Sequence, residues 1–201
     1  GRGCGGALYT RSDGQIFRKM KAMKAYIAAA LAALLCLAGC NKASLETTYN
    51  KQESQIESFI NSLASKSDTL RVEHTNGSHR AIVAEGEGEE LGEKGNIVFY
   101  YAGYSFNGSV SNSNLFSTNR SEIAQSAGFS LSEEQAMPVM LNLGEDELVE
   151  GLRNGLKGVK GGEECYILFS GKYGFGKKAF GTIPANSALA YHVWVESVSN
   201  D

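Results

Sequence analysis

The chain has 201 residues, 42% hydrophobic and 20% charged, enough for one domain of ordinary size plus additional segments. Residues 40–201 carry 13 Lys and Arg against 21 Asp and Glu, a formal charge of −8. So acidic a surface argues against nucleic acid as a partner.

The chain opens on Gly1, and the pattern from Met20 onward suggests that translation starts at Met20 or Met23, with residues 1–19 as upstream translated sequence. Lys21 and Lys24 supply a positive start, and 25–38 is a continuous apolar run. That run is short for a membrane span of ~20 residues, and it has the layout of an export signal over 20–39. It ends Leu37-Ala38-Gly39-Cys40, which resembles the lipobox of bacterial lipoproteins. The resemblance implies that Cys40 takes a diacylglycerol on sulfur and becomes the first mature residue. It further implies attachment to a bacterial cell-envelope membrane, with the outer membrane facing the periplasm as the expected place. Any membrane affinity then comes from the lipid, not from a basic patch. Cys165 remains as a lone cysteine inside an expected strand, a small buried apolar residue with no disulfide partner.

Residues 40–69 are expected to hold a tether and a helix. Asn41–Thr48 is polar and reads as the tether. In 49–65, Ile56, Phe59, Ile60 and Leu63 recur at helical spacing. A helix this short is marginal alone, so its stripe is expected to pack on the domain or on a second copy, which leaves a homodimer through 49–65 open.

The domain proper is expected over 70–201. Leu70–Thr75 and Ser78–Ala84 flank Asn76-Gly77, the strongest short-range hairpin signal. An acidic loop, 85–94, precedes a strand over 96–102 in which Ile97, Phe99 and Tyr101 share a face. The polar stretch 103–135 is long for a structureless loop, and it contains the apolar pair Leu115-Phe116 and a possible helical turn at 121–127. A strand over 138–143 leads to a short helix with Leu148, Val149, Leu152 and Leu156 on one face. Acids 145–147 lie at its expected start, and Gly155, Gly158, Gly161 and Gly162 stop it. That helix either floors a pocket or packs as ordinary core; periodicity is the same in both cases. Strands over 164–170 and 189–198 close an antiparallel α+β pattern.

Several motifs carry no chemistry. Gly171–Lys178 copies the first seven positions of a phosphate-binding loop, but Lys178 replaces the Ser or Thr that holds Mg²⁺, and Gly181 and Pro184 follow where a helix is needed. His74 and His79 flank the hairpin turn without a third ligand, and are expected as exposed hairpin residues and not as a metal site. His192 has no serine–carboxylate companions in sequence. No metal and no cofactor is expected.

From Ile97 to Val198, about half the chain, the sequence resembles the FKBP-type peptidyl-prolyl isomerases. The resemblance rests on Tyr100-Tyr101-Ala102-Gly103, Leu115-Phe116, Leu143-Gly144, Leu148-Val149-Glu150-Gly151, Gly155–Gly158, Lys160–Glu163, Tyr173–Gly176, Ile183-Pro184 and Leu189-Ala190-Tyr191, in order and at matching spacing. It implies a curved antiparallel sheet wrapped on one short helix, with an N-terminal helical extension, and a proline pocket between helix and sheet. Catalytic roles would fall to Tyr101, Phe116, Val149, Leu152, Phe175 and Tyr191, and substrate contacts to Val139, Leu148 and Ile183. Leu148 and Val149 would begin the pocket helix, with the Val149 N–H meeting a substrate carbonyl. The implied partners are proline-containing unfolded polypeptides. The chain departs from the family at Leu152, where Trp is usual; at Ser117, where Asp is usual; and at Phe175, where Tyr is usual. Arg120–Ala136 is an insertion expected near the pocket rim.

Overall fold

The computed structural model describes residues 42–201. The chain divides into two compact units, Gly1–Thr47 and Thr48–Asp201. The expected upstream segment 1–19, signal segment 20–39 and lipidation site Cys40 lie outside the described residues. Residues 42–47 of the first unit are helical, not the flexible tether that their polarity suggested, and Thr47 Oγ1 donates back to Ala43 O at 3.0 Å. The remaining description concerns the second unit.

Its first element is helix α1 (residues 48–64), followed by strands β1 (Arg71–Thr75), β2 (Ser78–Ala84) and β3 (Asn96–Phe106). Then come β4 (Leu115–Thr118), helix α2 (Ser121–Ser126), β5 (Val139–Asn142), helix α3 (Glu150–Leu156), β6 (Glu164–Phe169) and β7 (Ala188–Ser199). All seven strands form one antiparallel sheet in the order β1-β2-β6-β7-β3-β4, and β5 also pairs with β3. Strand β3 therefore serves two partners along one edge: β5 at Asn96–Phe99 and β4 at Ala102–Tyr104. The segment between β4 and β5 crosses from one half of that edge to the other.

Alternation divides the sheet's side chains between two cores. Ile97, Phe99, Cys165, Ile167, Phe169, Leu189, Tyr191, Val193 and Val195 face α3 on the inner side. Ala102, Tyr104, Phe106, Leu168, Ala188 and Ala190 face α1 on the outer side. The α1 stripe is spent on that outer face: Ile56 is fully buried, and the Phe59 ring meets Phe106 and Tyr166 edge-on at 5.5 and 5.6 Å. Polar groups fix the helix as well. Gln52 Nε2 donates to Asn186 O at 2.8 Å, and Gln52 Oε1 accepts from Gly171 N at 2.8 Å.

Strand β3 runs four residues past its expected end. Its polar continuation hides a second apolar face, Ala102, Tyr104 and Phe106, which pairs with Ala188–His192 of β7 and is covered by α1. The hairpin turns at Asn76 and Gly77 as expected, with Thr75 opposite Ser78. His79 is not exposed, because Glu53 of α1 reaches it at 2.8 Å; its other ring nitrogen meets His74 at 2.8 Å.

Helix α3 begins at Glu150, later than the sequence pattern suggested. Asp146 turns back so that its carboxylate accepts from Asn142 N at 2.7 Å; a turn over 143–145 and an irregular stretch over 147–149 stand where a first helical turn was expected. The helix lies close on β6, since a Cβ at Gly151 would run into the Phe169 ring.

Candidate active site

Between the approach to α3 and the inner face of the sheet lies an open, apolar-walled cleft of about 390 Å³. Strand β3 turns Phe99 and Tyr101 into it, and the centre of β7 supplies Tyr191. Phe116 comes from β4, Val139 and Leu141 from β5, and Leu148 and Leu152 from the entry and first turn of α3. Residues 180–183 form the remaining wall.

Seven of the nine residues expected from the sequence meet here: Tyr101, Phe116, Val139, Leu148, Leu152, Ile183 and Tyr191. Val149 and Phe175 are not in the wall. Val149 is the N-cap of α3, in extended conformation with no side chain capping the helix. Its side chain packs towards the inner core. Leu148 and Val149 thus precede the helix and do not begin it. The first-turn amides that follow have no intrahelical acceptor. Phe175 stands apart, stacked face to face on Phe180 at 4.7 Å, and Phe180 is the ring that reaches the cleft.

Sequence reasoning missed Phe99, Leu141 and the 180–182 segment, while Ser117, singled out in the sequence as a departure from the family, does line the cleft. Phe99 was within reach, because it shares a strand face with Tyr101. Phe180 carried no signal, since it sits in a glycine-punctuated loop without periodicity. The insertion does not cover the cleft: none of residues 120–136 lines it.

The aromatic walls pack in defined geometry. Tyr191 meets Phe116 edge-on at 5.8 Å and stacks on Phe169 at 6.1 Å, and burial pushes its phenol well above the usual range. On the rim Tyr101 Oη and Ser117 Oγ lie 2.8 Å apart, while Thr182 and the Tyr191 phenol add polar groups elsewhere in the wall. Behind them Asn119, buried, accepts from Tyr101 N at 2.7 Å and donates to Met137 O at 3.0 Å. Thr118 Oγ1 donates to Tyr101 O at 2.7 Å, so the backbone that carries the tyrosine is held from both sides.

The floor is held from below. Arg80 points from β2 into the inner core, where a charge needs full pairing. Its guanidinium donates to Lys157 O at 2.8 Å and Gly155 O at 3.3 Å, at the C-terminal end of α3, and it also bonds Glu73. Glu163 lies 3.5 Å from it, almost fully buried; burial pushes that carboxyl up, against the opposing pull of Arg80. His192 is on the other side of the sheet, sandwiched by Tyr166 and Trp194, and takes no part in the cleft. Cys165 is fully buried and unpaired, and burial raises its thiol. Such a site holds no nucleophile–base pair. Its means are shape, a predominantly apolar wall and the hydroxyls on its rim.

Comparison with known proteins agrees with this geometry. FK506-binding protein 1 of Aspergillus oryzae is 26% identical over 117 residues, 58% of this chain and 94% of that protein. A peptidyl-prolyl cis-trans isomerase of Schizosaccharomyces pombe is 23% identical over 126 residues, 62% of this chain and 96% of that protein. The crystal structure of FkpA from Escherichia coli shares the fold with a TM-score of 0.51 at 19% identity, covering 94% of this chain and 74% of that one. Residues 91–196, more than half of the chain, match the family described as FKBP-type peptidyl-prolyl cis-trans isomerase. With the curved sheet, the single pocket helix and the apolar cleft between them, this match places the chain in that family, and it is a peptidyl-prolyl cis-trans isomerase.

Proposed function

We propose that the cleft bounded by Tyr101, Phe116, Val139, Leu148, Leu152, Ile183 and Tyr191 binds the proline of unfolded polypeptides and isomerises its X-Pro bond. The observation that carries this reading is an open cleft with predominantly apolar walls and the Tyr101–Ser117 hydroxyl pair on its rim. Resonance holds a peptide bond planar with a barrier of ~18–20 kcal/mol, and at X-Pro the two isomers exchange over tens of seconds or more. At the barrier top the twisted amide is less polar at its carbonyl than the planar one. A dry pocket that grips the ring therefore binds the twisted form better, which is the differential binding that catalysis needs. Neither metal nor cofactor enters this scheme. The Val149 N–H, at the uncapped entry to α3, is the donor we assign to a substrate carbonyl.

The physiological role that fits the N-terminal sequence is assistance to exported proteins, from a lipid anchor at Cys40 in the bacterial envelope. A catalytically weak peptide-binding form is the second reading. It is favoured by Leu152 at the floor, Ser117 on the rim and Phe175 outside the cleft.

A refolding assay on a proline-limited substrate separates the two. The wild type is expected to shorten the slow phase, and Tyr101→Ala/Phe116→Ala to restore it. Equal slow phases for both proteins would remove the enzymatic reading. Suppression of client aggregation by both would then favour the binder.

A further inference from the structure

The insertion builds a second cleft beside the first, of about 480 Å³, to which it contributes Phe129, Leu131, Glu134 and Gln135, with Met137 and the polar Thr118 and Asn119 at its ends. The two clefts share Tyr101, Phe116, Ser117 and Val139, so they form one continuous trough running out from the proline pocket. Phe129 is 43% exposed and Met137 62% exposed, and both stand beside Leu131 and Val139 in a wall that also carries polar side chains such as Gln135 and Asn119. Such side chains left in water on a concave surface mark a place for an apolar ligand group.

This second cleft is a built feature. Asn119 ties both ends of the insertion to β3, through Tyr101 N and Met137 O. Ala124 of α2 is fully buried, and Phe129 N donates to Ala124 O at 3.0 Å. Ser132 and Gln135 hold each other reciprocally, side chain to backbone, at 3.0 and 3.3 Å.

We propose that this trough is a subsite for the residues flanking the proline. It receives an apolar side chain of the same extended, unfolded polypeptide, and Glu134 at its edge favours a basic neighbour over an acidic one. Continuity with the proline cleft determines the occupant, because a chain whose proline sits under Tyr191 must pass over Ser117 or leave by the opposite rim. The inference rests on the isomerase reading of the adjoining cleft.

The test uses the full chain and a series of short peptides, each with one proline in an alanine background, in which a leucine is moved from two positions before the proline to two after. The expected result is one leucine position with a kcat/KM about five- to tenfold above the all-alanine peptide. In Phe129→Ala/Met137→Ala that ratio should fall towards one. A flat wild-type series, or a preference that survives in the variant, would overturn the subsite while leaving isomerase activity in place. If no peptide is turned over, the same series is titrated by NMR while following the Met137 methyl. Leucine-dependent shifts there support the subsite independently of catalysis, and silence at that methyl rejects it.

Discussion

Tyr101 and Ser117 hold each other across the rim of the apolar cleft, Oη to Oγ at 2.8 Å, where β3 and β4 lie side by side. The phenol is thereby aimed along the edge of the pocket, at the junction with the second trough. A hydrogen bond of this kind is worth about 0.5–1.5 kcal/mol net. Tyr101→Phe and Ser117→Ala should each lower kcat/KM by roughly two- to tenfold. Their double variant should fall no further than the worse single, because both remove one interaction. Additive losses in a peptide assay would show that the two side chains act separately.

The cleft floor offers a gain-of-function test. Leu152→Trp adds an aromatic surface under the proline ring, worth about 0.5–1.5 kcal/mol, so kcat/KM should rise by roughly two- to tenfold. The residue is only 6% exposed, and overpacking there should cost ~1–3 kcal/mol of stability. Peptide kinetics and urea denaturation on the same preparation read both effects. A fall in activity without a change in fold would mean that the floor is already matched to its ligand.

Arg80 supports that floor through charge. Removing it leaves Glu163 buried without its cation and the last carbonyls of α3 without donors. Arg80→Ala should therefore cost about 3–5 kcal/mol in urea denaturation, and adding Glu163→Gln should return part of the loss. A cost under ~1 kcal/mol for Arg80→Ala would show that water reaches the site freely.

His192 gives the fold a pH dependence. Burial pushes its imidazole down to about 4, although the Glu164 carboxylate, with Oε1 2.8 Å from Nε2, pulls the other way. Above pH ~6.5 the ring is neutral both folded and unfolded, so it has no effect. As pH falls from there to about 4, the unfolded chain takes a proton that the folded chain refuses. Stability should then decline by at most ~1.4 kcal/mol per pH unit, and level off below that window. His192→Gln should flatten this slope in thermal melts between pH 7 and 4. A slope equal to the wild type's would assign the acid sensitivity elsewhere.

What the sequence made legible follows from how each residue signals its place. The hairpin announced itself through Asn76-Gly77, and α1 through Ile56, Phe59, Ile60 and Leu63, because local periodicity and turn chemistry are written in neighbouring residues. Most of the cleft was legible too, since Tyr101, Phe116 and Tyr191 belong to a spaced pattern. The end of β3 was not, because Tyr104 and Phe106 sit among polar residues and are buried only by a distant helix. The late start of α3 was hidden for a related reason: Asp146 serves a backbone turn where its charge suggested a helix end. Phe180 replaced Phe175 at the wall because a loop stacks one ring on the other, and no spacing rule foretells which of two loop aromatics turns inward.

The Arg80 bridge also bears on where the folding unit can be cut. The stretch that matches the family begins at residue 91, yet β2 supplies the cation beneath α3 and covers the free edge of β6. A fragment trimmed to residues 91–196 would strand Glu163 in a greasy interior and bare a strand edge to any passing chain. Expression of the catalytic part alone should therefore start upstream of Arg71, and shorter versions should be recovered as aggregates.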